Sequence, residues 1–345
     1  MTILVTGGAG VVGSALIAAL GSEDVVALAH RKPVACEALY GDITRPWLGL
    51  HPRDYRELAA RVDVVVHCAA SVDFGASERT LHRVNVVGVG HVLRFVSDAG
   101  ARLVHVSTAF VARIADGADA PPAMALAAYA RSKARGETLV RESGLPAAIA
   151  RVSTVIGDSE SGRLARLQSF HYILGAAMRG LLPFLPTTAD TRADLVPQDV
   201  VAAALTALTT TYAGDGDYWL TAGTAAPPMS AIMDIAYDIA VERWRADPDT
   251  RQVYAPALKP RFLAPDTYNQ LMTMLHSHAG PDVKPSSLGQ IDRLMATYNH
   301  ADPFPTSLGE IPGGPPAPTE DGIGKALAAT CRHLCTQPDT MWSMY

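Results

Sequence analysis

Three side chains near the middle of the chain could together place a proton on a carbonyl oxygen: Thr108, Tyr129 and Lys133. Tyr129 and Lys133 stand four residues apart in Tyr129-Ala-Arg-Ser-Lys133, which puts a phenol and an ammonium on one face of a helix. From there the cation is expected to lower the phenol pKa, so that a tyrosine exchanges protons near neutral pH. Ser107-Thr108 closes the preceding apolar run, and a hydroxyl there can donate to the same oxygen, polarising a carbonyl for hydride attack. A second constellation, Thr6-Gly7-Gly8-Ala9-Gly10-Val11-Val12-Gly13, is a glycine-rich turn between a short apolar strand and an Ala-rich helix. Gly7, Gly10 and Gly13 give a GxxGxxG spacing, which allows a tight turn, close backbone approach to phosphate and close packing of helix on strand. The helix N-terminus at Val11 and Val12 then seats a dinucleotide pyrophosphate. Turn and relay together point to nicotinamide-dependent redox chemistry, with Lys133 also reaching the nicotinamide ribose.

Further contacts to such a coenzyme follow from the ends of the next strands. The second strand ends Ala27-Leu28-Ala29-His30-Arg31-Lys32. An NAD site places a carboxylate there for the ribose 2′-hydroxyl, whereas an arginine accommodates a 2′-phosphate. With no carboxylate and two cations, His30 and Arg31 are expected to face the adenosine and NADPH is the favoured coenzyme. Asp42 and Ile43 in Gly41-Asp42-Ile43 fit a loop that holds the adenine amino group and ring face, with a turn-forming aspartate as the rival explanation. His67-Cys68-Ala69-Ala70 ends a further strand, where small Ala69 and Ala70 let a ribose approach the backbone and Ser107 joins them one strand over. His67 is expected to be packed rather than catalytic. Asn85 in the following helix is expected to bridge strand ends. The histidines form no metal-ligand cluster, so no metal is expected. Ser169-Phe170-His171 lacks the glycines of a nucleophile elbow.

These residues need a scaffold, and the chain supplies one by alternation. Ile3–Val5, Val25–Ala29, Ala38–Tyr40, Val62–Cys68, Leu103–Ser107, Ala147–Val152 and Tyr218–Thr221 read as strands. Val12–Leu20, Arg83–Val96, Ala127–Glu142 and Asp199–Leu208 read as helices between them. The pattern predicts an α/β fold, a Rossmann-type doubly wound parallel sheet with a smaller, mostly helical substrate lobe. Residues 1–156 and 196–222 form the dinucleotide-binding domain in this reading, and 157–195 with 223–345 the substrate-binding lobe. The 345 residues suffice for a sizeable core, and 48% apolar residues with a net charge of −5 give a soluble globular profile. That charge offers no reason to expect nucleic acid or an anionic membrane as partner. A strand at Thr2–Val5 leaves the expectation of no signal or transit peptide and a cytoplasmic location. Ile173 to Leu185 is interrupted by Arg179, Gly180 and Pro183 and should not span a bilayer. Cys36, Cys68, Cys331 and Cys335 read as reduced thiols.

On these motifs the chain resembles the extended short-chain dehydrogenase/reductase superfamily over roughly residues 1–225. Within it, five segments resemble the branch of thioester reductase domains and fatty acyl-CoA reductases, the male-sterility-type NAD-binding domains. They are Gly41–Thr44 with Trp47–Leu50, His67–Phe74, Val104–Val111, Arg151–Ser159 and Ala193–Val200. In that branch a Thr (or Ser), Tyr and Lys reduce a carrier-protein or coenzyme A thioester with NADPH. The resemblance therefore implies those roles for Thr108, Tyr129 and Lys133, and adds Val155 to the coenzyme contacts. It departs at the short segment from His30 to Gly41, and at Val152, where the superfamily often has proline. Past residue 225 only Tyr298–Leu308 keeps a faint likeness. The implied function is an NADPH-dependent reductase of an acyl thioester, releasing aldehyde or alcohol in a biosynthetic pathway. A carrier protein would be supplied in trans, and a homodimer is left open. The alternatives are another extended-superfamily activity (ketone or aldehyde reduction, 3β-hydroxysteroid-type oxidation, nucleotide-sugar epimerisation) or a non-catalytic coenzyme sensor, against which the intact relay argues. Phe262, Leu271, Met272, Met274 and Leu275 suit a greasy substrate channel or ordinary helix packing equally.

Overall fold

The computed structural model describes residues 1–21, 24–73, 75–114, 127–211, 214–246, 259–278, 295, 298 and 302–338. Its frame is β1 (Thr2–Thr6), α1 (Val11–Leu20), β2 (Asp24–Ala29), β3 (Glu37–Tyr40), α2 (Pro52–Ala59) and β4 (Val64–His67). Helix α3 (Glu78–His82) runs through a π-helical turn at Arg83–Val87 into α4 (Gly88–Ala99), followed by β5 (Arg102–Thr108), α5 (Ala127–Glu142) and β6 (Ala147–Val152). Then come β7 (Thr154–Ile156), α6 (Ser169–Met178), β8 (Phe184–Pro186), β9 (Leu195–Pro197), α7 (Gln198–Thr210) and β10 (Gly216–Leu220). Helix α8 (Met229–Ala246), β11 (Arg261–Leu263), α9 (Pro265–His278) and α10 (Glu320–Cys335) complete the described elements.

Seven strands form one sheet in the order β10-β6-β5-β4-β1-β2-β3, with every pairing parallel. All seven strands expected from the sequence lie in it. Continuous apolar runs such as Val64–Val66 are what a parallel sheet needs, because helices bury both of its faces. On one face Ile3, Val5, Val64, Val66 and Val104 pack against α1 and α7. On the other, Leu4, Val65, Leu103 and Ile149 meet Tyr55, Val89, Val92 and Phe95 of α2 and α4. Fully buried side chains such as Leu4 and Phe95 each contribute about 1.5–3 kcal/mol. A third cluster joins Phe110 and Tyr129 to Phe170, Leu174, Met233, Tyr298 and Leu327, so α6, α8 and α10 build apolar structure against the far end of β5 and α5.

Two features owe little to periodicity. The edge strand β10 is covered by residues 304–308: Ser307 N–H donates to Trp219 O at 2.8 Å, and Ser307 Oγ accepts from Trp219 N–H at 3.0 Å. This satisfies an edge that would otherwise present unpaired backbone groups. The turn at Pro46–Gly49 carries Trp47 (φ 55°) and Leu48 (φ 57°) in the left-handed region. It folds back so that Asp42 N–H donates to Leu48 O at 2.7 Å while Leu48 is fully buried.

Candidate active site

The glycine turn is shaped by what cannot fit there. Gly7 has φ 73°, and a Cβ on it would lie 2.6 Å from Ala69 N; a Cβ on Gly13 would lie 2.3 Å from Gly7 O. Only glycine lets the turn press on the ends of β1 and β4 and lets α1 start directly above it. Gly10 N–H donates to Gly7 O at 2.9 Å and caps α1 without a side-chain hydrogen bond. Val11 and Val12 therefore begin a helix whose first amides point at the cradle, the arrangement that suits a pyrophosphate. Ala69 and Ala70 flank this cradle half-buried, and Thr6 Oγ1 accepts from Ala69 N–H at 3.2 Å. The cradle fits a dinucleotide.

Beside it, at the carboxyl ends of β4 and β5, lies the proposed relay. Tyr129 and Lys133 share the buried face of α5, and Thr108 ends β5. The Thr108 hydroxyl hydrogen-bonds the Tyr129 phenol and accepts from Phe110 N–H at 3.3 Å. Helix α5 is pinned by Asn85, which the π-helical turn carries inward. Asn85 Oδ1 accepts from Ser71 N–H at 2.8 Å, and its Nδ2 donates to Ser71 O at 3.0 Å and Ser132 Oγ at 2.9 Å. Ser132 Oγ in turn donates to Tyr129 O at 2.6 Å. One amide thus ties the end of β4 to the turn of helix that bears the tyrosine, as expected of a bridging asparagine.

The electrostatics differ from the spacing argument. Burial pushes the Tyr129 phenol up to about 12, with the Thr108 hydrogen bond acting in the other direction. Lys133 is not among the groups that set it. Its Nζ donates to Val106 O at 2.8 Å, and burial brings the amine down to about 8 against the pull of Glu137 and Cys68. The expected lowering of the phenol pKa is therefore not present in this geometry: desolvation outweighs a cation whose hydrogen bond goes elsewhere.

The remaining candidates divide. Ser107 Oγ donates to Glu137 Oε1 at 2.6 Å, so its hydroxyl serves an ion-pair network rather than the cradle. Asp42 Oδ1 accepts from Thr44 N–H at 2.9 Å and Thr44 Oγ1 at 2.7 Å, the turn-forming alternative. Burial works to raise the Asp42 pKa, but Thr44, His30 and Arg45 together hold it below the ordinary value. Ile43, in the turn after β3, packs on Gly88 of α4, where a Cβ would lie 2.9 Å from Ile43 Cδ1. His30 and Arg31 are exposed at the end of β2. Val155 is buried in β7, paired with Val196 of β9, beyond the end of β6. His67 is packed, as expected, with Nδ1 2.7 Å from Thr6 Oγ1. The sequence reading gave no role to His105, stacked on His67 in the next strand. Among the described residues no His, Cys, Asp and Glu group could hold a metal, and no helix is long and apolar enough to cross a membrane.

Known proteins share this construction. Residues 23–205, more than half of the chain, match the family described as male sterility protein, an NAD-binding domain. Glycine betaine reductase ATRR of Emericella nidulans is 33% identical over 183 residues, 49% of this chain and 14% of that protein. A 4-hydroxy-2-methyl-3-oxo-4-farnesyl-3,4-dihydroquinoline-1-oxide ketoreductase of Stigmatella aurantiaca is 34% identical over 158 residues, 42% of this chain and 47% of that protein. The chain thus spans less than half the length of either relative. The terminal R domain from the myxalamid PKS-NRPS biosynthetic pathway superposes with a TM-score of 0.69 at 22% identity, covering 96% of this chain and 90% of that one, which establishes a common fold. The matched segment, carried on the parallel sheet with its glycine turn, makes this chain a member of the male sterility family of NAD-binding domains.

Proposed function

We propose that the chain reduces an acyl thioester with NADPH, yielding an aldehyde or, after a second reduction, an alcohol. The observation that carries this reading is the Thr108–Tyr129 hydroxyl pair at the carboxyl edge of the sheet, one strand from the glycine cradle. A reduced nicotinamide coenzyme, held by the glycine cradle, would supply the hydride. Tyr129 and Thr108 donate hydrogen bonds to the carbonyl oxygen as it gains charge, and that oxygen re-forms the carbonyl as the sulfur leaves as thiolate, which takes its proton from water. A phenol with pKa near 12 stays protonated throughout the physiological range, which suits a hydrogen-bond donor to an oxyanion. Lys133 holds a ribose hydroxyl and lends positive charge to the same pocket.

The thioester is supported by the five segments that resemble thioester reductases and by the fold shared with an R domain of a PKS-NRPS pathway. The acyl group would arrive on coenzyme A or on a carrier protein supplied in trans. NADPH is supported by His30 and Arg31, exposed at the end of β2, and by the carboxylate near them, Asp42, being engaged by Thr44 and Arg45. Mixing the protein with NADPH and a series of acyl-coenzyme A or acyl-pantetheine thioesters should release free thiol in step with NADPH loss. If no acyl chain releases thiol while ketones are reduced, the thioester reading is replaced by a ketoreductase. For the coenzyme, Arg31→Ala should raise the NADPH Kd by about tenfold and leave the NADH Kd unchanged. Equal effects on both would remove Arg31 from 2′-phosphate recognition.

A further inference from the structure

The register of the sheet sets Thr6 opposite His67 and His67 opposite His105, a polar row across β1, β4 and β5 on the face that α5 covers. Two residues back along each strand, the same face carries Leu4, Val65 and Leu103, an ordinary apolar row. The polar row is equally buried. The two imidazoles stack with centroids 5.4 Å apart and planes 29° from parallel. Among the described residues no group hydrogen-bonds His67 Nε2 or either nitrogen of His105. A buried polar atom left without a partner destabilises the fold, so packing alone would favour leucine or valine here too.

What distinguishes this row is the amine above it. Lys133 Nζ donates to Val106 O, the carbonyl one residue past His105. Gly136, one helical turn on, lets α5 close onto the sheet: a Cβ there would lie 2.9 Å from Asn85 O and 3.7 Å from His105 Nε2. An ammonium has three N–H groups, and Val106 takes one of them. Whichever tautomer His105 adopts, one ring nitrogen keeps a free lone pair. We propose that His105, backed by His67, is a positioning residue for Lys133, a neutral imidazole that offers its lone pair to the buried ammonium from the sheet side.

Both rings are suited to that part. Burial, with the Lys133 charge adding to it, brings His67 down to about 3 and His105 well below its ordinary value, so neither competes for the proton. The other groups facing the amine are few. Glu137 from its own helix and Cys68 from the end of β4 favour the charged form, and Arg141 acts on His105. Tyr129 lies one turn back, while Asn85 and Ser132 are uncharged and tied to Ser71 and to the Tyr129 carbonyl.

The inference rests on Lys133 acting in the relay only for its effect on turnover, because the ionisation of Lys133 is readable without coenzyme or substrate. In coenzyme-free protein labelled with 13C-lysine, the Lys133 Cε titration is identified by its loss in Lys133→Met. His105→Phe keeps the ring and removes the lone pair. It should move that titration, and the alkaline limb of kcat/KM, down by about one pH unit or more, a tenfold change in proton affinity. His105→Gln, which restores an acceptor, should bring both back toward native. A Phe variant that titrates like the native protein, or a Gln variant that behaves like Phe, overturns the proposal. If the Phe variant does not fold, 15N-histidine spectra of the native protein decide. The unprotonated His105 nitrogen must shift as Lys133 titrates and lose that response in Lys133→Met; a His105 signal indifferent to Lys133 overturns the proposal equally. Inactivity of Lys133→Met or Tyr129→Phe tests the relay alone and leaves this result standing.

Discussion

Lys133 and Glu137 sit one turn apart on α5, each only 2% exposed, and are treated in opposite ways. Glu137 is surrounded by donors: Ser107 Oγ at 2.6 Å, Arg151 at 2.7 and 3.0 Å, and Arg141 at 3.0 Å. Asp217 binds both arginines in turn. Burial works to raise the Glu137 pKa, but these donors hold it below the ordinary carboxylate value, so its charge is kept. Lys133 donates to a single backbone carbonyl, Val106 O, and burial brings its pKa down toward neutrality against the pull of Glu137 and Cys68. At equal exposure, the partners decide whether the charge is kept. The half of the helix that locks the sheet satisfies its charge completely. The half that faces the cradle leaves a charge short of partners, which is how a site keeps donors available for a ligand.

The sharpest way to break this contrast is to remove the phenol. Tyr129→Phe deletes the proposed hydrogen-bond donor to the oxyanion and its hydrogen bond with Thr108. Turnover should fall by about a thousandfold, within the usual range for a lost oxyanion donor, with a melting temperature near the native one. A variant that keeps its rate would place the reaction elsewhere. Glu137→Ala should do the reverse. Removing the buried member of an ion-pair network leaves Arg151 with only the half-exposed Asp217 as partner and should cost about 3 kcal/mol of stability, read from urea unfolding. The rate per folded molecule should stay within about twofold, because Glu137 reaches the site only through Ser107 and its distant charge on Lys133. A thousandfold loss of rate with no loss of stability would merge the two halves of α5 into one functional unit.

How much of this arrangement was legible in the sequence follows the same division. Strands buried on both faces read as unbroken apolar runs, so β1, β2, β4 and β5 were visible from composition alone. Gly7, Gly10 and Gly13 were visible because a missing side chain is itself the signal. What escaped was set by neighbours distant along the chain. Nothing near Ile43 says that Gly88 will take its side chain, and nothing near Ser107 names Glu137 as its partner. The left-handed backbone at Trp47 and Leu48 contradicts their preferences, and only the turn around them holds it. His67 and His105 become a pair through strand register, which periodicity does not report. Spacing put Lys133 on the face of α5 that carries Tyr129, but its hydrogen bond to Val106 depends on how deeply α5 settles on the sheet. From residue 154 on, short ladders such as β7–β9 and β8–β11 left too few residues for any pattern to show.

The smallest effect tests the lysine side of the contrast in thermodynamic terms. The Lys133 pKa falls from 10.5 in the unfolded chain to about 8 in the folded one. Between those values the unfolded state binds more protons, so stability rises with pH across that window. Below about pH 8 the charged amine is a net cost of folding, the opposite of Glu137, whose stabilisation is present above its unfolded pKa and is lost as acid protonates it. Lys133→Met keeps the length of the side chain and removes the charge. At pH 7 it should therefore be more stable than the native protein by about 1–3 kcal/mol, while turning over poorly. The gain should shrink as pH rises from about 8 to 10.5, where the native amine has already released its proton. Chemical unfolding of both proteins at pH 7 and pH 10 measures this directly. A Met variant that is less stable at pH 7, or whose difference from native does not change with pH, would show that Lys133 is held as tightly as Glu137 and that the two halves of the helix obey one rule.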